Sequence, residues 1–216
     1  MVKQNKEDSS KTRLLIIRHG ETDSNKAGKL DGQSETKLTE EGIYQAKALA
    51  ELLKNEKIDV VYSSPLNRAK ETAKIVLGYQ NNININLEPL LKEIDCGTCT
   101  LMMRDDVVKK FPKLVEEWNN LSDPVFPKGE NLRDVQQRVM PFIRQIVKAY
   151  VGKTILISGH GTINRAILGA FLEIPAGLCW KLDQSNCCLN EIIFKDGDFI
   201  VKKINYVCPF GVLKKS

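Results

Sequence analysis

The sequence predicts a three-layer α/β fold, with a mostly parallel central sheet, helices on both faces and a C-terminal β-hairpin at the sheet edge. Unbroken apolar runs at residues 14–17 and 154–158 are typical of strands buried on both faces of a parallel sheet. Segments with helical periodicity separate these runs, as in βαβ units. Near the end of the chain, two runs at 189–194 and 199–206 flank the turn 196–198 and predict the hairpin.

The elements of the first half follow in order. Thr39 is the predicted N-cap of the first long helix, whose apolar residues recur at spacings of three and four up to residue 53. Residues 59–63 predict a strand. Ser64-Pro65 then reads as a cap followed by proline at the first helical position. A weaker strand is expected at 84–87.

The second half contains one irregular segment and two helices. Residues 92–130 show weak periodicity and predict a helical or loop insertion over the sheet. An apolar stripe runs from Leu132 to Tyr150, and Pro141 is expected to kink or split that helix. Another helix is predicted at 163–171.

The domain boundaries follow from these elements. We expect a single domain at 13–207, preceded by a flexible tail at 1–12 and followed by a C-terminal tail at 208–216.

Charge and hydropathy exclude several partners. The 216-residue chain has a formal net charge of +5, but residues 1–13 hold +2, and Lys214 with Lys215 adds +2, so the body carries only +1. This distribution favours solvated tails over a nucleic-acid surface. No apolar run approaches the roughly 20 residues of a membrane span, and the N-terminus lacks the apolar region of a signal peptide. We therefore expect a cytoplasmic protein with no nucleic-acid or membrane partner.

The cysteines and histidines limit metal and redox chemistry. Two histidines exclude a His-rich metal site. Cys96 and Cys99 form a lone C-x-x-C, which leaves open a redox or zinc role. Adjacent Cys187 and Cys188 do not supply a second zinc knuckle, so small semi-buried side chains are the favoured interpretation of all six cysteines.

Unusual residues follow three of the predicted strands. Arg18 and His19 follow the first, Arg68 comes shortly after the strand at 59–63, and His160 follows the strand at 154–158. Since ligands of open α/β sheets bind beyond the carboxyl ends of the strands, both histidines and two arginines are expected to converge there. Such a group can bind and attack a phosphate dianion.

Four ordered motifs resemble those of the histidine phosphatase superfamily, in the branch that contains the cofactor-dependent phosphoglycerate mutases. The resemblance covers about residues 13–206. The motifs are Arg18-His19-Gly20-Glu21-Thr22 with Asn25, Leu38-Thr39-Glu40-x-Gly42, Ser63-Ser64-Pro65-Leu66-x-Arg68-Ala69-x-Glu71-Thr72-Ala73, and Ser158-x-His160-Gly161.

The resemblance implies a site and a mechanism. His19 would be the nucleophile that becomes phosphohistidine, while Arg18, Arg68 and His160 stabilise the transferring phosphoryl group. Glu93 would protonate the leaving alkoxide, with Asp95 as the second choice. The resemblance implies no metal and no cofactor. It also implies four further substrate contacts: Asn25, Asp31, Gly32 and Gly161.

The sequence departs from the family after Glu93. Many members continue with G-x-W-E-G, whereas this chain has Cys99-Thr100-Leu101 in place of the last three residues. The departure concerns the substrate pocket, and Met102 and Met103 are expected to make its wall apolar and adaptable. Arg104 either meets an acidic group of the substrate or lies in solvent.

The same resemblance separates possible activities. The mutases have a longer insertion that carries paired arginines before the second histidine, and this chain has neither feature. The sequence therefore predicts a phosphatase of a small phosphorylated metabolite. It leaves open a broad-specificity, α-ribazole, sugar-phosphate or phosphoserine phosphatase. A mutase and a non-catalytic phospho-ligand-binding protein remain alternatives, and the apolar hairpin makes a homodimer possible.

Overall fold

A computed structural model describes residues 11–80 and 83–209. Within them, six strands form one sheet in the order β3-β2-β4-β1-β5-β6. Strands β3, β2, β4 and β1 are parallel, while β5 is antiparallel to β1 and β6 is antiparallel to β5. The strands are β1 Thr12–Arg18, β2 Val60–Ser63, β3 Ile85–Leu87, β4 Thr154–Gly159, β5 Leu189–Lys195 and β6 Asp198–Tyr206.

Helices cover both faces of this sheet. The α-helices are α1 Asp23–Lys26, α2 Glu40–Leu53, α3 Asn67–Val76, α4 Arg104–Lys110, α5 Pro112–Asn119, α6 Leu132–Ala149 and α7 Gly161–Phe171. Short 3-10 turns lie at Leu77–Tyr79, Pro89–Leu91, Gly97–Cys99 and Ala176–Lys181.

Strand β1 shows how the layers form. Leu15 and Ile17 belong to the core under α2 and α3, while Leu14 and Ile16 belong to the core under α6 and α7. Successive side chains of a strand point to opposite faces, so an unbroken apolar run is the pattern required of a strand covered on both sides. The predicted three-layer α/β fold is confirmed.

Two helix-start predictions have opposite outcomes. Thr39 is the N-cap of α2, where its hydroxyl accepts a hydrogen bond from Gly42 N at 3.0 Å. Helix α3 instead begins at Asn67, so the predicted start at Ser64-Pro65 is wrong. The reason is that Ser64 N still donates to Ser158 O of β4, at 2.9 Å, which keeps this backbone extended.

Pro141 lies inside α6 without splitting it. Proline removes one backbone donor and leaves the carbonyl of Gln137, one turn earlier, without its helical partner. Both residues are exposed, so water can satisfy that carbonyl. The buried neighbours Phe142 and Ile143 keep the helix packed on the core.

The C-terminal hairpin is confirmed at the sheet edge. Strands β5 and β6 are joined by Asp196 and Gly197, with φ angles of 54° and 88°. Positive φ at both positions is typical of a type I′ turn, whose twist matches that of the paired strands.

The segment 92–130 contains α4 and α5. Val107, Leu114 and Phe126 from it belong to the same core as α6 and α7. The boundaries of the single domain stay a prediction, and most of both predicted tails lies outside the described residues. No helix among the described residues has the length and apolar character to cross a membrane.

A close backbone approach fixes the loop that follows β1. A Cβ on Gly42 would lie 2.1 Å from Glu21 O, and one on Gly20 would lie 2.4 Å from Gly42 O. Real Cβ atoms do not approach backbone so closely. The two glycines therefore allow α2 to press the loop after His19 into place.

We expect Gly42→Ala to destabilise the protein by about 1–3 kcal/mol, the usual cost of overpacking a site that cannot relax. Urea unfolding measures this difference. Gly78→Ala is the matched control, since nothing lies within 4 Å of the added methyl group, and its unfolding free energy should stay within about 1 kcal/mol of the parent. Equal stability of the two variants would contradict the prediction.

Candidate active site

The two histidines meet where β1 and β4 end. These strands pair in register up to Arg18 opposite Gly159, and His19 N continues the pattern by donating to Gly159 O at 3.1 Å. The imidazole ring centres are consequently 5.1 Å apart, at an interplanar angle of 61°. Both side chains are buried.

The hydrogen bonds of His19 define its tautomer. Nδ1 lies 2.7 Å from Gly20 O, a group that can only accept, so Nδ1 carries the proton. Nε2 accepts a hydrogen bond from Arg68 Nε at 3.3 Å. Burial, followed by the charges of Arg18 and Arg68, holds the pKa of His19 well below its usual value. The result is a neutral imidazole with a lone pair on Nε2.

Arg68 is a fully buried cation in a fixed position. One terminal nitrogen donates to Gly32 O at 2.8 Å and the other to Ser34 O at 2.7 Å. Asp31 Oδ2 lies 3.9 Å from Nε and supplies an opposite charge. Burial lowers the pKa of Arg68, and the carboxylates of Asp31 and Glu93 oppose that shift. The guanidinium is therefore held beside His19 before any ligand binds.

Arg18 approaches the same point from β1. Its Nη1 donates to Gln184 O at 2.6 Å, while its Nε is buried and has no partner among the described residues. A buried donor without a partner is costly, so this nitrogen is suited to a ligand oxygen.

His160 is held by a residue that the sequence did not identify as part of the site. Its Nε2 lies 2.8 Å from Ser64 Oγ, and its buried Nδ1 has no partner among the described residues. Burial, with Arg68 as the next cause, keeps the pKa of His160 well below its usual value. The Ser-Ser-Pro sequence indicated a helix cap at Ser64, whereas its hydroxyl orients this imidazole.

Glu93 lies at the start of α7. Both carboxylate oxygens are within reach of Thr162 N, at 3.2 and 3.3 Å, and Oε1 also accepts from Ile94 N at 2.9 Å. The helix start therefore fixes this side chain at the cavity. Asp95, the second choice, accepts from Gly97 N at 2.8 Å and does not border the cavity.

An open cavity of about 440 Å³ lies in front of His19. Arg18 and Glu93 border it, whereas Arg68 and His160 do not and are fully buried against His19. The four remaining predicted contacts all border it: Asn25, Asp31, Gly32 and Gly161.

Three of those four contacts also have partners within the protein. Asn25 donates to Asp31 Oδ2 at 3.0 Å and accepts from Asn186 Nδ2 at 3.2 Å. The carbonyl of Gly32 holds Arg68. These side chains and carbonyls therefore build the frame of the site.

The expected Met102–Met103 wall is wrong. Cys99 is buried in the core, Leu101 is exposed, and neither methionine borders the cavity. The apolar wall comes from α4, α5 and Trp180, because the chain folds these later elements over the opening. Arg104 does border the cavity. Sequence reasoning also missed Arg165, although it lies in α7, which begins directly after His160.

Of the six cysteines, only Cys96 borders the cavity. All six are buried and unpaired, and burial raises the pKa of both Cys96 and Cys99. Among residues 11–80 and 83–209, no group of three His, Cys, Asp or Glu side chains is arranged to hold a metal ion.

The fold and its histidine–arginine cluster define an enzyme of the phosphoglycerate mutase-like type. A model of the histidine phosphatase superfamily (branch 1) matches residues 14–207, and the chain belongs to that superfamily.

Named relatives span most of the chain. Phosphoserine phosphatase 1 of Hydrogenobacter thermophilus is 30% identical and covers 92% of this chain and 94% of its own. The adenosylcobalamin/alpha-ribazole phosphatase of Salmonella typhimurium is 30% identical, covering 89% and 96%. A probable phosphoglycerate mutase of Yersinia pestis is 27% identical, covering 87% of each chain. A putative alpha-ribazole-5'-P phosphatase structure from Escherichia coli superposes with a TM-score of 0.81, at 28% identity, covering 90% and 96%.

The two buried histidines predict a pH-dependent stability. Their pKa values are lowered in the folded protein, whereas in the unfolded chain a histidine titrates near about 6.5. Protonation therefore favours unfolding, so this part of the stability is complete above pH 6.5 and lost as the pH falls below it. Each histidine contributes a slope of up to about 1.4 kcal/mol per pH unit.

Urea unfolding between pH 7.5 and 5 measures that slope. The control is a His19→Asn, His160→Asn double variant, which should show a flatter dependence because only the carboxylates remain to titrate. An unchanged slope in the double variant would contradict the prediction.

Proposed function

We propose that this protein is a metal-independent phosphomonoesterase that hydrolyses a small phosphorylated metabolite through a phosphohistidine on His19. The observation that carries the proposal is the fixed tautomer of His19, whose unprotonated Nε2 lies beside Arg68 at an open cavity. A buried neutral imidazole beside two arginines is suited to attack a phosphate dianion. The imidazole supplies the lone pair, and the arginines offset the negative charge of the phosphate.

The first step forms one bond and breaks one. Nε2 of His19 attacks phosphorus while the bond from phosphorus to the alcohol oxygen breaks. Arg18, which borders the cavity, stabilises the non-bridging oxygens directly, while Arg68 and His160, which are buried against His19, stabilise the transferring group from the side of the nucleophile. Protonated Glu93 gives its proton to the departing alkoxide.

The second step reverses these roles with water. The Glu93 carboxylate takes a proton from a water molecule as that water attacks phosphorus. The bond to Nε2 breaks, inorganic phosphate leaves and His19 is regenerated. Thr162 N and Ile94 N hold the carboxylate in place between the two steps.

Hydrolysis is favoured over mutase activity because the segment between Glu93 and His160 is short. This segment also lacks the paired arginines that would retain a bisphosphorylated intermediate.

The relatives' names supply candidate substrates, phosphoserine and α-ribazole phosphate. The proposed active unit is the domain at 13–207.

The proposed location is the cytoplasm, supported by six free thiols that a reducing compartment maintains. A homodimer is supported by the exposed apolar side chains of edge strand β6, at Ile200, Ile204 and Tyr206.

A panel of phosphomonoesters tests the function. It includes phosphoserine, α-ribazole phosphate, a sugar phosphate, and 3-phosphoglycerate with 2,3-bisphosphoglycerate. We expect phosphate release that persists in EDTA, and labelling of the protein by ³²P from substrate. His19→Ala should abolish both turnover and labelling. Turnover by His19→Ala, strict dependence on a divalent metal, or isomerisation without phosphate release would each refute the proposal.

Glu93→Gln tests the proton donor. We expect its kcat to fall by about 10²–10⁴-fold on an alkyl phosphate, whose leaving group needs a proton, and far less on p-nitrophenyl phosphate, whose leaving group does not. Steady-state kinetics on the two substrates measures the difference. Asp95→Asn is the matched control and should affect both substrates alike. Equal losses in Glu93→Gln would remove Glu93 from this role.

A further inference from the structure

The open side of the phosphoryl site holds an arginine besides Arg18. Of the three residues proposed above to stabilise the phosphoryl group, only Arg18 borders the cavity, since Arg68 and His160 are fully buried against His19. Arg165 also borders the cavity, and it comes from α7. The cavity-facing oxygens of a bound phosphoryl group therefore have two arginines within the lining of the site.

Gly161 allows the guanidinium groups of these two arginines to approach one point. A Cβ on Gly161 would lie 3.0 Å from Arg165 Nη1 and 3.5 Å from Arg18 Nε. Glycine therefore leaves the space that both groups occupy. Gly161 is also the first residue of α7, and the N-terminal end of a helix favours an anion. Two cationic groups and a helix start thus face the same part of the cavity.

One short segment of the chain anchors both arginines. Arg18 Nη1 donates to Gln184 O at 2.6 Å, and Arg165 Nε donates to Leu182 O at 2.8 Å. The Arg165 guanidinium also lies over the Trp180 ring, at 5.8 Å from its centre. These contacts fix the position of each group and use one of its nitrogens.

Other nitrogens of both groups remain available. Arg18 Nε is buried and has no partner among the described residues. The two outer nitrogens of Arg165 make no hydrogen bond or ion pair with any described residue. Since a guanidinium can donate two parallel hydrogen bonds to the oxygens of a phosphate, these N–H groups are suited to a phosphoryl group above Gly161.

The nearby carboxylates offset the charge of Arg165 only in part. Glu93 is held by the backbone at the start of α7, and Asp183 accepts from Asn205 Nδ2 at 3.0 Å. Burial, followed by the charge of Arg18, lowers the pKa of Arg165, and Glu93 and Asp183 oppose that shift. Two like charges held close together repel each other, and a bound dianion would offset that repulsion.

We infer that Arg165 is a third arginine of the phosphoryl site, which binds the transferring group from the cavity side together with Arg18. Arg68 stabilises the same group from the side of His19, so positive charge lies on both sides of the phosphoryl group. Fixed charges of this kind are the main source of catalysis in phosphoryl transfer. This inference rests on the phosphatase function proposed above, and it adds a binding residue to that same site.

Titration calorimetry with inorganic phosphate at pH 7.5 tests the contact without turnover. We expect Arg165→Met to raise the Kd for phosphate by about 10-fold or more, because a charge-assisted hydrogen bond is lost. Arg165→Lys keeps the charge and should give an intermediate Kd. Arg144→Met removes an exposed charge outside the cavity and should leave the Kd within about 2-fold of the parent value.

A purely structural role for Arg165 predicts a different result. Both variants lose the hydrogen bond from Nε to Leu182 O, whereas only Arg165→Met loses the charge. Equal Kd values for the two variants would therefore assign the effect to the lost anchor of the segment that holds Arg18, and would overturn the inference.

Kinetics separate a contact with the phosphoryl group from an effect on Glu93. The phosphoryl group is common to p-nitrophenyl phosphate and an alkyl phosphate, so we expect Arg165→Met to lower kcat/KM by the same factor on both, about 10-fold or more. A loss confined to the alkyl phosphate would make Arg165 a positioning residue for Glu93 instead, contrary to the inference.

The two proposals can fail separately. An unchanged phosphate Kd in Arg165→Met, or no saturable binding of phosphate by the parent protein, would overturn the role of Arg165 even if phosphatase activity is found. Phosphate binding that depends on Arg165, without any turnover or labelling, would support this role and refute the phosphatase.

Discussion

The parallel pairing of β1 with β4 is the constraint on which the rest of the site depends. Because Arg18 lies opposite Gly159, the residues that follow the two strands come together, and they are the chain's two histidines. Hydrogen bonds of the sheet therefore set the 5.1 Å separation of the rings. A shift of one residue in this register would turn one imidazole toward the opposite face of the sheet.

Burial then determines the chemistry of these groups. The imidazoles are enclosed with a fully buried arginine, so the neutral forms of the histidines are favoured while the guanidinium remains charged. Backbone carbonyls hold Arg68 in place, and Ser64 holds His160. These hydrogen bonds offset part of the cost of burying the polar groups, while Arg18 Nε and His160 Nδ1 keep no partner among the described residues. Preorganisation of this kind is what phosphoryl transfer requires.

The wall of the cavity depends on a separate part of the chain. Helices α4 and α5 follow one another in the chain, whereas Trp180 is distant from them in sequence, and all three border the opening and pack on the core under α6 and α7. The cavity thus has a charged side, formed by residues that follow the strands. Its other side is apolar and is formed by α4, α5 and Trp180. The charged residues and the cavity wall therefore come from different parts of the chain.

Local sequence determined the strands, the α2 cap, the turn at Asp196-Gly197 and the placement of four site residues at strand ends, because apolar periodicity and backbone propensity act over a few residues. The motif resemblance added Glu93 and the frame residues. Tertiary structure alone decided the role of Ser64, whose backbone hydrogen bond to β4 overrides its preference for a helix cap. It also decided that Trp118 and Trp180, and not Met102 and Met103, form the cavity wall. Those outcomes depend on contacts between residues distant in the chain, and no local pattern records such contacts.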